Sequence, residues 1–283
     1  MALDQVDVDK LDEKGVEKEM TFFEHLEELR WHILRSMSAI LLFGIAAFVG
    51  KDFIFNTIIF GPKNKDFITY EILCNISESM GLGQSLCIGP PDFDFVTPNF
   101  GELFLTHIKV SFIAGIICSI PYLFWEIWRF VKPGLYEHEK NMARYSVGVC
   151  SALFLFGVAF GYFIISPFAI TFLAGYELPG VVAQPSLGSY INYMVMLTLP
   201  VGLVFEMPVA VYVLTRLGLL TSDFMKTYRR HAYLIILVMA SIITPPDVFS
   251  QILICVPLIL LYEVSISISK KVEKKERALM KRP

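Results

Sequence analysis

The chain has 283 residues, 55% hydrophobic and only 18% charged, with a mean hydropathy of +0.58. Soluble domains carry about 25% charged residues. Uncharged runs of 32 residues (Tyr145 to Tyr176) and 28 residues (Leu178 to Phe205) exceed the roughly 20 that cross a bilayer. These figures exclude a soluble enzyme, a nucleic-acid binder and a secreted disulfide scaffold. The formal net charge of −3 excludes nothing further.

The first 30 residues read as an acidic cytoplasmic tail that ends in an amphipathic helix. No charged leader or small-residue cleavage site precedes the first apolar segment, so no cleaved signal peptide is expected. Thr21 and Glu24 have the spacing of a capping box. In the helix they open, Phe22, Leu26, Leu29 and Ile33 share one face, while Glu24, Glu27 and Glu28 cluster on the other. An inner leaflet repels carboxylates, so this acidic face is either a solvated surface, with Glu27 paired to Arg30, or a receptor for a cationic partner.

The first apolar segment is Trp31–Gly50. A turn-rich connection, 51–102, follows and carries Cys74 and Cys87. In an oxidising compartment such a pair can be bonded; two separate thiols are the alternative. Cys118, Cys150 and Cys255 lie in apolar segments and read as packing residues. The second segment is Leu103–Trp128. Its link onward contains Phe130, a turn at Pro133-Gly134, and two further carboxylates, Glu137 and Glu139.

In the third segment, Tyr145–Phe168, Gly157 and Gly161 form a G-x-x-x-G helix-contact motif. The fourth, Ser189–Thr215, holds Glu206 ten residues before Arg216, roughly 15 Å along a helix and so near mid-membrane. A carboxylate there costs about 2.5–3.5 kcal/mol on insertion scales and is functional by default. It is otherwise a protonated packing residue. Pro208 is expected to kink this helix.

The last two segments, Ala232–Ile243 and Phe249–Ser269, are expected to be short. They form either two short helices joined by a turn at Thr244-Pro245-Pro246-Asp247 or a re-entrant hairpin. Gln251 and Glu263 place polar groups in the last one. A basic tail, 270–283, closes the chain.

Charge orients these segments. Of 24 Lys and Arg residues, 20 fall in the N-terminal tail, the second and fourth links and the C-terminal tail. Positive residues stay cytoplasmic, which places both termini inside. The expected architecture is an all-α polytopic membrane protein with six transmembrane helices over 31–269. The five histidines have no metal-ligand spacing, and neither a phosphate-cradling glycine loop nor a nucleophile motif occurs. Neither an enzyme nor a cofactor or metal is therefore expected.

The segments resemble the TatC subunit of the twin-arginine protein translocase. The likeness rests on Phe23-x-His25-Leu26-x-Glu28-Leu29-Arg30 and Phe130-x-x-Pro133-x-Leu135-Tyr136-x-His138-Glu139. It continues through Phe160-Gly161-Tyr162-Phe163, Phe205-Glu206-Met207-Pro208 and Thr244-Pro245-Pro246-Asp247-x-x-Ser250-Gln251. That resemblance implies a concave groove and a core receptor in the bacterial inner membrane. Such a receptor binds signal peptides bearing two consecutive arginines, recruits single-span TatA and TatB, and transports folded proteins on the proton-motive force. It further implies that Glu28 and Glu139 receive the arginine pair, with Phe130 and Arg30 in the same site. Glu206 and Gln251 would contact partner helices. Self-association is expected, as is contact with lipid; nucleic acid is not. The long 51–102 connection, with its two cysteines, and the acidic tail depart from the family pattern.

A small-solute secondary transporter using Glu206 is the alternative, although no inverted repeat is evident. A passive membrane scaffold is a third reading, and it would tolerate substitution at Glu28 and Glu139.

Overall fold

The computed structural model describes residues 22–79, 87, 89–91, 93–131, 140–176, 179, 184–244 and 248–280. Within these the regular structure is helical, and the β pairing among the described residues is one isolated bridge between Val96 and Ser186. Ten helices are labelled here: α1 Phe22–Val49, α2 Ile68–Ser79, α3 Glu102–Val131, α4 Lys140–Phe160, α5 Ser166–Ala174, α6 Leu187–Val204, α7 Met207–Arg216, α8 Ser222–Thr227, α9 Arg229–Ile243 and α10 Val248–Met280.

Five stretches are long and apolar enough to cross a membrane: His25–Val49, Glu102–Phe130, Ser146–Ala174, Leu187–Arg216 and Gln251–Lys275. Their surfaces are inverted relative to a soluble protein. Among the described side chains of α1 only His32 is buried, whereas Met37, Leu41, Leu42 and Ile45 are exposed. A soluble helix buries its apolar stripe. One that exposes leucine and buries histidine is packed for lipid.

The α1–α3 pair forms an antiparallel hairpin. His107 stacks on Phe48 at one end, with ring centroids 4.0 Å apart, and His25 stacks on Phe130 at the other, 4.5 Å apart. Between them the backbones nearly touch: a Cβ on Gly115 would lie 2.7 Å from the carbonyl oxygen of Ile40 and 2.8 Å from the nitrogen of Gly44. Only glycine permits that approach.

The α4–α6 contact is built similarly. A Cβ on Gly157 would meet Gly202 and the Phe205 side chain at 2.8 Å, and one on Gly161 would meet the Leu197 carbonyl oxygen at 2.7 Å. The G-x-x-x-G motif is therefore the face that seats the third apolar segment on the fourth. Beyond Phe160 the helix widens to a π-helical turn over Gly161–Ile165 before α5. Pro167 follows, and such bulges let a helix accommodate a missing donor.

The fourth segment is interrupted where Pro208 was expected to kink it. α6 ends at Val204 and α7 begins at Met207, with Glu206 as the residue before α7. The Glu206 amide donates to the Leu203 carbonyl at 3.1 Å, an i to i−3 bond that tightens the turn. α7 stops at Gly218, the described residue with positive φ (71°), in the left-handed position that terminates helices.

The end of the chain departs from expectation. α9 is short as anticipated, 15 residues, or about 22 Å. α10 is not short: its 33 residues run without interruption from Val248 to Met280. The segment expected as a separate basic tail is mostly this helix. Lys, Glu, Arg and Leu are good helix formers, and beyond Pro257 no Gly or Pro intervenes before Pro283. The turn at Pro245, Pro246 and Asp247 lies outside the described residues, as do Thr21 and the link 132–139.

The 51–102 connection is folded back onto the helix ends. Phe95 meets Tyr190 edge-on at 4.9 Å, and the Lys63 ammonium lies over the Phe93 and Phe95 rings at 5.5 and 5.1 Å. Cys74 and Cys87 are bonded, with Cα atoms 4.4 Å apart.

Candidate functional site

At the end of the hairpin away from this connection, α1 and α3 present an aromatic and acidic surface. His25, Glu28 and His32 are spaced by three and four residues and therefore share a face of α1. That face meets Phe130, the penultimate residue of α3. The His25 ring stacks on Phe130, and His32 meets it edge-on at 5.8 Å. Glu28 lies between the two histidines and is half-buried.

One turn deeper, His32 Nδ1 hydrogen-bonds to Glu126 Oε2. Both side chains are buried, at 6% and 2% exposure. The Tyr122 hydroxyl also bonds to Glu126, and the charge of Arg35 stands nearby. Sequence reasoning passed over this pair. His32 counted as one of five scattered histidines, and Glu126 was not singled out at all. The available signal was their placement, each less than one turn inside an apolar boundary, where an ionisable group needs a partner.

Arg30 is exposed and stands roughly 200° around the helix from Glu28, away from the Phe130 face. Glu139 and Glu137 lie outside the described residues.

Glu206 occupies the break between α6 and α7 and is half-buried. One carboxylate oxygen is buried without a hydrogen-bond partner, while the Cys150 thiol and the Phe154 backbone face the group. Among the described residues no cation pairs with it. Gln251 is half-buried, and its amide donates to the Leu237 carbonyl of α9 at 3.4 Å, a long bond. Glu263, by contrast, is held at home: Arg229 donates to it at 2.9 Å and the Tyr233 hydroxyl bonds to its other oxygen. Among the described residues no cluster of three or more His, Cys, Asp or Glu side chains could hold a metal.

These features define a multi-pass, all-helical membrane protein with an ionisable, aromatic-lined surface at one end and a carboxylate at a helix break. The family model for the Sec-independent protein translocase protein TatC matches residues 24–257. A TatC from Blattabacterium is 38% identical over 272 residues, covering 93% of this chain and 100% of that protein. One from Aquifex aeolicus is 31% identical over 264 residues, covering 93% and 100%. A crystal structure described as the twin arginine translocase receptor TatC superposes with a TM-score of 0.64 at 32% identity, over 88% of this chain and 100% of that one. The chain belongs to the TatC family, a component of the Sec-independent protein translocase.

Proposed function

We propose that this chain is the receptor core of a twin-arginine translocase, capturing signal peptides at the Glu28–Phe130 surface. The observation that carries the reading is the placement of Glu28 on the α1 face whose neighbouring histidines pack on Phe130. A carboxylate beside an aromatic ring suits guanidinium: it accepts bidentate, charge-assisted bonds, and the ring receives the planar cation. Glu139 would supply the second carboxylate. Arg30, on another side of α1, would serve the same surface without touching the arginine pair. Lysine offers a point charge in place of a planar fork, so the site would distinguish the two.

In this reading both termini are cytoplasmic, α9 is a sixth, short span in a locally thinned inner membrane, and the 51–102 connection is periplasmic. Glu206 and Gln251 would meet the helices of TatA- and TatB-type partners, with which folded cargo is moved on the proton-motive force. Glu206 is only half-buried and stands at the helix break, which supports this role, because a partner side chain would satisfy the accessible part of a carboxylate that lipid cannot. The test is capture of a twin-arginine signal peptide by the purified chain, with loss of capture when both peptide arginines become lysine.

The break at Glu206 favours one other reading, a small-solute transporter, since transporters bind substrates at interrupted helices. Solute flux into vesicles containing this chain alone would favour it over the receptor.

A further inference from the structure

An apolar cavity of about 460 Å³ lies between α4, α7 and α10, walled by Val149, Leu153, Val209, Tyr212, Val264 and Ile268 among others. Ligand pockets occupy roughly 300–1,000 Å³. Tyr212 also walls a second cavity of about 160 Å³, whose charged residues are Arg216, Lys271 and Lys275. Among the described residues no carboxylate lines that smaller cavity. The two therefore meet at one side chain, apolar on one side and cationic on the other.

Their depth matches the layers of a bilayer. The apolar walls end at Ile268, and Lys271 follows three residues on in the same helix, about 4.5 Å further along the axis. Lys275 adds one more turn. Beyond a hydrocarbon core of about 30 Å, headgroups occupy only some 5–8 Å on each side, so Lys271 falls at phosphate depth. Lys275, about 10.5 Å past Ile268, stands just outside that layer with a long side chain that reaches back to it. On the other flank of α10, Lys270, Lys274 and Arg277 line a third cavity with α8. Its carboxylates are engaged: Glu273 accepts from the Ser222 amide and hydroxyl at 2.7 and 2.8 Å, and Asp223 pairs with Lys226 at 2.9 Å. The foot of α10 thus keeps a net positive field.

We infer that the paired cavities form a binding site for an anionic phospholipid, an acyl chain lying along Val209, Val264 and Ile268 and the headgroup phosphate held by Lys271 and Lys275. A zwitterionic lipid brings its own cation up against Lys271 and Lys275. A soluble phosphate would leave the apolar half unfilled. The inference needs only that α10 spans the membrane, and so stands apart from the signal-peptide reading.

The test is native mass spectrometry of the full chain in detergent, titrated with dioleoylphosphatidylglycerol or dioleoylphosphatidylcholine. The account expects phosphatidylglycerol to be retained roughly tenfold more tightly, and Lys271→Gln with Lys275→Gln to reduce it by roughly tenfold to thirtyfold. Val264 is 51% exposed, so Val264→Trp would fill the apolar cavity without disturbing the core, and it should weaken both lipids. Thermal midpoints of the variants check that they fold. Equal retention of the two lipids, or indifference to the lysine substitutions, would overturn the proposal. Displacement of the lipid by millimolar inorganic phosphate would mark a soluble-anion site instead, and indifference to Val264→Trp would assign the apolar cavity to another occupant, such as a single-span partner helix; either result overturns it.

Discussion

His32 of α1 and Glu126 of α3, 94 positions apart in the chain, are joined by a hydrogen bond and both buried. They lock together the two helices that carry Glu28 and Phe130. Removing one partner leaves the other buried and unsatisfied, which costs about 1–3 kcal/mol, more if it is charged. Glu126→Ala and His32→Ala should therefore each lower the thermal midpoint, and the double variant should lose less than the sum. Strict additivity in that cycle would show that the pair is not coupled.

Helix approach at the glycines gives a second expectation. At Gly115 the obstacles to a Cβ are backbone atoms of Ile40 and Gly44, which cannot turn aside. Gly115→Ala should force α1 and α3 apart and destabilise by about 1–3 kcal/mol, the usual range for overpacking. Gly148→Ala, where a Cβ meets nothing within 4 Å, is the control. Equal melting of the two variants would contradict the packing described.

Much of this was legible in the sequence, for physical reasons that also explain the omissions. Length and hydropathy find the apolar segments because lipid imposes both. Pro208 announces the break at Glu206 because it lacks a donor, and Gly157 and Gly161 announce a contact because small residues let backbones meet. The His32–Glu126 pair was hidden because pairing across helices leaves no local pattern. The continuation of α10 was open to view, since Lys270 to Met280 contains no helix breaker, but charge made it look like a tail. α2 was obscured by the turn formers around it.

The 51–102 connection offers a third test, on the reading that it is periplasmic. Cys74 and Cys87 are bonded and close a loop of 13 residues' separation, for which the chain-entropy model gives about 3 kcal/mol. A thiol reagent applied to intact cells should leave both unlabelled until a reductant is added. Labelling of both without reductant would show that they are separate thiols.

Glu206 separates partner contact from internal packing. Glu206→Gln retains a group that donates and accepts, so crosslinks to TatA- and TatB-type helices should largely persist. Glu206→Leu should abolish them while leaving protein level and signal-peptide capture intact. Loss of the protein itself in Glu206→Leu would assign the residue to packing.

The central claim is that carboxylates at the Glu28–Phe130 surface recognise paired arginines. The most direct measurement is the affinity of the purified chain for a twin-arginine signal peptide, compared with Glu28→Gln, Glu139→Gln and the double variant. Each single change should weaken binding by the worth of one charge-assisted bond, about 1.5–3 kcal/mol, and the double variant should bind the arginine peptide no better than its lysine counterpart. Wild-type affinity in the double variant would contradict the account.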